Sequence, residues 1–220
     1  MTVIDCRFRP LTPEFECYIT PEPANFWVTQ TRPLKPEPLE TTMKYFRKMG
    51  ITGAVCSGRD MRSVGGAHIP NEYIADLVKQ YPVFIGVAGA DPQNGHVRSD
   101  IEHAVRNLGL KGVSVDPFAL KTTADDKRFY PIYETCAELN VPVIITIGPL
   151  PIRGGSYMEW GSPLPVDHIC ADLPTSGYFF PTPVFRGRRN SSPSYGGMRI
   201  CTLKAPSTAI FPARTCWSKP

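Results

Sequence analysis

Short β-branched runs alternate with longer amphipathic segments through residues 1–174, and no other feature narrows the fold so far. Strands are expected over 3–9, 51–56, 82–90, 110–115 and 141–147. A Pro-rich loop covers residues 10–38. A helix is expected over 39–48, where Leu39, Met43, Phe46 and Met49 recur at helical spacing and Gly50 supplies a stop. Others are expected over 71–80, led by Pro70, and over 99–108, with Ser99 and Glu102 as a capping box and Gly109 as the stop. Helices over 128–139 and 166–173 complete the pattern. Parallel neighbours need a crossover of about a dozen residues or more, so regularly interleaved strands and helices predict an α/β fold with a parallel sheet. An open doubly wound sheet and a closed (β/α)8 TIM-type barrel both satisfy this. Every expected strand ends in polar or small residues: Arg7 and Arg9, Ser57 and Arg59, Asp91, Asp116, and Thr146. These are the carboxyl ends, where barrel chemistry sits. No GxGxxG follows the first strand, which weakens dinucleotide binding. The barrel is the favoured architecture.

The pattern stops near residue 174. From 175 to 220 the chain carries seven basic residues and no acid, so this segment is at +7 and the remainder at −3 within a total of +4. Its prolines and aperiodic apolar residues read as coil. The tail's charge, interleaved with Tyr178, Phe179, Phe180 and Trp217, invites a nucleic-acid reading. No run of about 18 apolar residues appears, and the first residues lack the charge and apolar stretch of a signal peptide. The seven cysteines include no CxxC pair, which suits reduced thiols better than a disulfide framework. A cytoplasmic protein with no membrane partner is expected.

Four blocks carry a family resemblance. They are Asp5-Cys6-Arg7-Phe8-Arg9-Pro10, Gly50-Ile51-Thr52-Gly53-Ala54-Val55, Asp126-Lys127-Arg128-Phe129-Tyr130-Pro131-Ile132-Tyr133, and Asn140-Val141-Pro142-Val143-Ile144-Ile145. In this order they resemble the amidohydrolase-related family, whose members are similar to aminocarboxymuconate-semialdehyde decarboxylase and its hydrolase relatives. The resemblance runs from about residue 3 to 174. It implies a (β/α)8 barrel whose metal-dependent members bind zinc or a similar ion through a His-x-His pair on strand one, a His on strand five, a His on strand six and an Asp on strand eight. This chain departs from that pattern. Arg7 and Arg9 occupy the first-strand pair, and a guanidinium has no lone pair to offer a cation. Thr146 stands at the strand-five position, and His68, His96, His103 and His168 all lie elsewhere. No metal cofactor is expected.

The tail begins where the family continues into strand six. Regrouping the codons of residues 175–189 one base earlier, within their degeneracy, permits His-Leu-Arg-Val-Leu-Phe-Ser-His-Pro-Gly-Phe-Pro-Trp-Thr-Thr. This resembles the family's sixth strand, with its His at the position of Thr182. The expected organisation is therefore a partial barrel over 1–174, about five βα units, and a disordered, frameshifted tail over 175–220. A frameshift accounts for the tail's charge without nucleic-acid binding, so no nucleic-acid partner is expected. A full barrel takes roughly 250 residues, and at least about 200.

Arg7 and Arg9, two residues apart on one strand, project to the same face and form a candidate carboxylate clamp. The alternative is that both pair with interior acids such as Asp5 or Asp116. Asp116 is the candidate general base, with a salt bridge to Arg7 or Arg9 as its competing role. Thr146 is expected to line the site. His68 and His168 read more simply as surface or packed residues, Cys6 and Cys56 as small core residues, and Gly65-Gly66 and Gly154-Gly155 as loop glycines. The functional expectation is an amidohydrolase-like hydrolase or carboxy-lyase acting on a small carboxylated molecule, impaired by truncation. The alternative is a catalytically inactive remnant that binds a ligand.

Overall fold

The computed structural model describes residues 3–10, 12–19, 36–147, 157–173 and 178–179. The helices are α1 (Pro13–Ile19), α2 (Leu39–Met49), α3 (Asn71–Gln80), α4 (Val97–Arg106), α5 (Tyr130–Glu138) and α6 (Leu164–Asp172). The strands are β1 (Val3–Phe8), β2 (Ile51–Ser57), β3 (Arg59–Asp60), β4 (His68–Ile69), β5 (Phe84–Gly89), β6 (Val113–Val115), β7 (Val143–Ile145) and β8 (Tyr178–Phe179). Strands β1-β2-β5-β6-β7-β8 form one sheet in that order. Every pairing within it is parallel. Strands β3 and β4 make a separate antiparallel pair, with Arg59 opposite Ile69 and Asp60 opposite His68. This is the curled sheet and helical cover of an incomplete TIM-type barrel.

The strand period explains the two layers. Ala54, Cys56, Phe84, Ala88, Val113, Val115, Val143 and Ile145 point outward into the main core, against Phe46, Ile74, Leu77, Ile101, Ile132 and Ile169 from the helices. The intervening residues Val55, Val87 and Ile144 point inward and pack with Cys6 in a smaller cluster. Cys6 and Cys56 are therefore packing residues, on opposite faces. Phe8 closes the outer layer over β1, stacking on Phe84 at 5.2 Å and meeting Phe46 edge-on at 5.1 Å.

Several expectations need adjusting. Ser99 does not cap α4: His96 holds the cap position, and the Ser99 hydroxyl donates inside the helix to the His96 carbonyl at 2.8 Å. The helix expected from 128 begins as a 3-10 turn over Lys127–Phe129, capped by Asp126, and becomes α-helical at Tyr130. The Pro-rich stretch contains α1, whose first turn is held by Thr12 accepting from the Phe15 amide. β8 lies past the expected boundary at 174 and pairs with β7 through Val143↔Tyr178 and Ile144↔Phe179, so it takes the sixth place in the sheet. The rest of the tail, Thr182 and the Gly154-Gly155 pair lie outside the described residues.

Candidate functional site

Strand β1 does not keep a simple alternation. Asp5 is opposite Ala54 and Phe8 opposite Cys56, so three steps on β1 span two on β2. This bulge inserts one residue, and bulges re-aim side chains. Cys6 faces inward, Phe8 outward, and Arg7 lies between them near the top of the strand. The Asp5 carboxylate accepts from the Arg7 amide at 2.9 Å. The Arg7 side chain keeps a solvent-exposed side, yet burial of the remainder is the first cause lowering its pKa. Asp116 opposes that shift and Arg59 adds to it. Arg7 thus shares its electrostatic surroundings with Asp116 and Arg59. The charge of Arg9 acts on Cys56 instead, opposing the burial that pushes that thiol up to about 12.

Asp116 follows the end of β6 and is buried. The Arg59 Nη2 donates to Asp116 Oδ2 at 2.5 Å. Both side chains are well covered, with 12% and 6% exposed. The Ala119 amide donates to the other oxygen, Oδ1, at 3.4 Å. Thr146 stands at the neighbouring strand end, where its amide donates to the Val115 carbonyl at 3.0 Å and its side chain is buried. The structure therefore gathers Arg7, Arg59, Asp116 and Thr146 at the carboxyl ends of β1, β2, β6 and β7. Arg59 was legible in the sequence only as a polar strand-end residue. Its pairing with Asp116 spans 57 positions, and no local spacing signals it.

The remaining strand-end acid is structural. Asp91, after β5, accepts from the Ser63 amide and hydroxyl and from the Gln93 amide, each at 2.9 Å. This ties the β3–β4 connection to the sheet. Beside it lies a cleft of about 220 Å³ lined by Asp60, His68, Asn71, Asp91 and Asp100 among others. Burial is the first cause lowering the His68 pKa. His168, on α6, pairs with Asp125 at 2.6 Å. On the β6–β7 side the rim is aromatic: buried Phe118 meets Trp160 edge-on at 6.4 Å, and Trp160 meets exposed Tyr157 edge-on at 4.9 Å.

The donor set at these strand ends is ill suited to a cation. The first-strand positions are guanidiniums, Asp116 is engaged by Arg59, and Thr146 presents a neutral hydroxyl. Among the described residues, no three of His, Cys, Asp or Glu gather so as to hold a metal ion. Cys6, Cys56, Cys136 and Cys170 are free thiols. No described helix is long and apolar enough to cross a membrane.

Solved structures share the fold. An uncharacterized TIM-barrel protein from Bordetella bronchiseptica is 24% identical, with a TM-score of 0.63 over 81% of this chain and 66% of its own. A probable 2-pyrone-4,6-dicarboxylic acid hydrolase from Acinetobacter baumannii, with citric acid bound, is 13% identical, with a TM-score of 0.53 over 82% and 57%. A 5-carboxyvanillate decarboxylase from Novosphingobium aromaticivorans, complexed with manganese and 4-hydroxy-3-methoxy-5-nitrobenzoic acid, is 17% identical, with a TM-score of 0.53 over 81% and 64%. The chain thus spans less than two thirds of the length of each of these barrels. No curated protein of similar sequence was found. The amidohydrolase family model matches residues 4–178, which takes in every described strand up to the start of β8, and the chain belongs to the amidohydrolase family.

Proposed function

We propose that this chain binds a small carboxylated molecule at the carboxyl ends of its strands and acts on it as a hydrolase or carboxy-lyase. One observation carries the reading: the Arg59 guanidinium meets the buried Asp116 carboxylate at 2.5 Å, and Arg7 feels the charge of both, so two guanidiniums converge at the barrel mouth. The planar guanidinium fork suits two-point recognition of a substrate carboxylate. Arg9 adds a further donor at the same strand end, and Thr146 lines the floor beside Asp116. Asp116 serves as general base toward water or the substrate. The carboxylated ligands of two structural neighbours support this substrate class. The chemistry of the first-strand pair supports a reaction that does not depend on a metal held there. The free thiols fit a reducing compartment, the cytoplasm.

A second reading has its own support. Both Asp116 oxygens already accept hydrogen bonds, which suits a chain that binds a carboxylate without turning it over. Assays with carboxylated lactones and esters, run with and without a chelator, separate the two. Turnover that survives chelation and falls about a hundredfold or more in Asp116→Asn supports the enzyme. Benzoate binding without turnover supports the second reading. Turnover abolished by chelation overturns the metal-independent assignment, and failure to bind any carboxylate overturns both.

A further inference from the structure

Beyond Ser57 the chain leaves the sheet. Gly58 donates to the Val87 carbonyl at 2.7 Å, and the backbone then turns into β3, where Arg59 pairs with Ile69. Gly89, at the end of β5, lies opposite the place where β2 would have continued. Its amide donates instead to Asn71 Oδ1 at 2.8 Å, and its carbonyl accepts from Asn71 Nδ2 at 3.4 Å. A carboxamide has the donor and acceptor of a peptide group, so Asn71, the first residue of α3, stands in for the departed strand. The packing is close. A Cβ on Gly89 would fall 2.4 to 2.6 Å from the Arg59 backbone, and one on Gly58 would fall 2.8 Å from Asn71 Oδ1 and 2.7 Å from the Gly89 amide. The backbone that carries Arg59 is thus pressed onto the segment that Asn71 holds.

We infer that Asn71 is a positioning residue: through the end of β5 it fixes the Arg59 backbone, and hence where the Arg59 guanidinium meets Asp116 and an incoming carboxylate. The ligand half of this inference rests on the carboxylate reading above; the ion-pair half does not. Asn71 touches neither Arg59's guanidinium nor Asp116 through any bond described above, so it acts at one remove, as a structural support whose effect is read at the mouth.

The experiment uses the full chain with Asn71→Ala, Asn71→Asp, Arg59→Lys and the Asn71→Ala/Arg59→Lys double variant. Benzoate is the probe, followed by calorimetry, and the Arg59 guanidinium protons are followed by NMR without ligand. Asn71→Ala is expected to weaken benzoate by about tenfold. It should also merge the separate Arg59 Nη proton signals that a held ion pair keeps apart. Asn71→Asp, which keeps the acceptor for the Gly89 amide but loses the donor to the Gly89 carbonyl, should lose less than Asn71→Ala, about threefold. In the Arg59→Lys background Asn71→Ala should cost nothing more, since coupled residues are not additive. Unchanged Arg59 signals in Asn71→Ala overturn the inference, as does an equal loss of affinity in both backgrounds. If Asn71→Ala does not fold, a loss in Asn71→Asp as large as in Arg59→Lys also overturns it. If no variant and no parent binds benzoate, the carboxylate reading fails, and the Arg59 signals alone decide the role of Asn71.

Discussion

Glycines at the two ends of the strands meet different demands, apart from Gly112 before β6, where a Cβ would fall 2.9 Å from the Pro142 carbonyl. At the amino ends, left-handed residues make the turns from helix to strand: Gly50 (φ 69°) after α2, Gly109 (φ 74°) after α4 and Asn140 (φ 54°) after α5. A Cβ at Gly50 or Gly109 would meet nothing within 4 Å, so only the backbone angle demands glycine there. At the carboxyl ends the demand is for space, because Gly58 and Gly89 let one backbone rest on another beneath the Arg59–Asp116 pair. The amino ends settle how the chain turns, and the carboxyl ends settle where charge is placed. Energetic sensitivity should follow that division.

The largest effect is expected at the mouth. Arg59→Ala strands a buried carboxylate and should lower the unfolding free energy by about 3–5 kcal/mol in urea titrations. A much smaller loss would mean that Arg7 takes over the pairing, which would sharpen the view that two guanidiniums serve Asp116. Next comes Gly89→Ala, where backbone lies in the way and cannot yield as a flexible side chain would; about 3 kcal/mol is expected. Gly109→Ala should cost less, about 1–2 kcal/mol, because it meets only the left-handed penalty. Equal losses at Gly89 and Gly109 would break the distinction between space and angle.

The smallest effect concerns pH, beside the mouth. Burial lowers the His68 pKa in the folded chain, Arg62 lowers it further, and Asp60 and Glu72 oppose the shift. Below its ordinary value of about 6.5, unfolded His68 binds a proton more readily than folded His68. Stability therefore rises with pH in that window and is lost on acidification from about 6.5 downward. His68→Gln should remove this step from a plot of midpoint denaturant concentration against pH, and an unchanged plot would count against a neutral, half-buried imidazole.

Much of this architecture was open to reading. Leu39, Met43 and Phe46 mark α2 at helical spacing, Gly50 stops it, and Pro70 leads α3, because each signal is local. Local signals also misled. Ser99 with Glu102 has the pattern of a capping box, yet Val97 already belongs to the helix, with its apolar side chain buried in the core. α1 and the β3–β4 pair escaped notice because seven residues in a Pro-rich run and two strands of two residues each carry too little periodicity. At the site, Arg7 and Asp116 were visible as charged strand ends, whereas the bulge between Asp5 and Phe8 in β1 carried no local signal.

Residue types and their spacing determined the parallel α/β order, the carboxyl-end location of the charged groups and the unsuitability of Arg7 and Arg9 as metal ligands. These follow from backbone periodicity and side-chain chemistry, which act within a few residues. Only the tertiary structure decided that Arg59 is the partner of Asp116 and that Asn71 completes the edge of β5. Those contacts join residues 57 and 18 positions apart, and they form only when the chain has brought separate elements together at the strand ends.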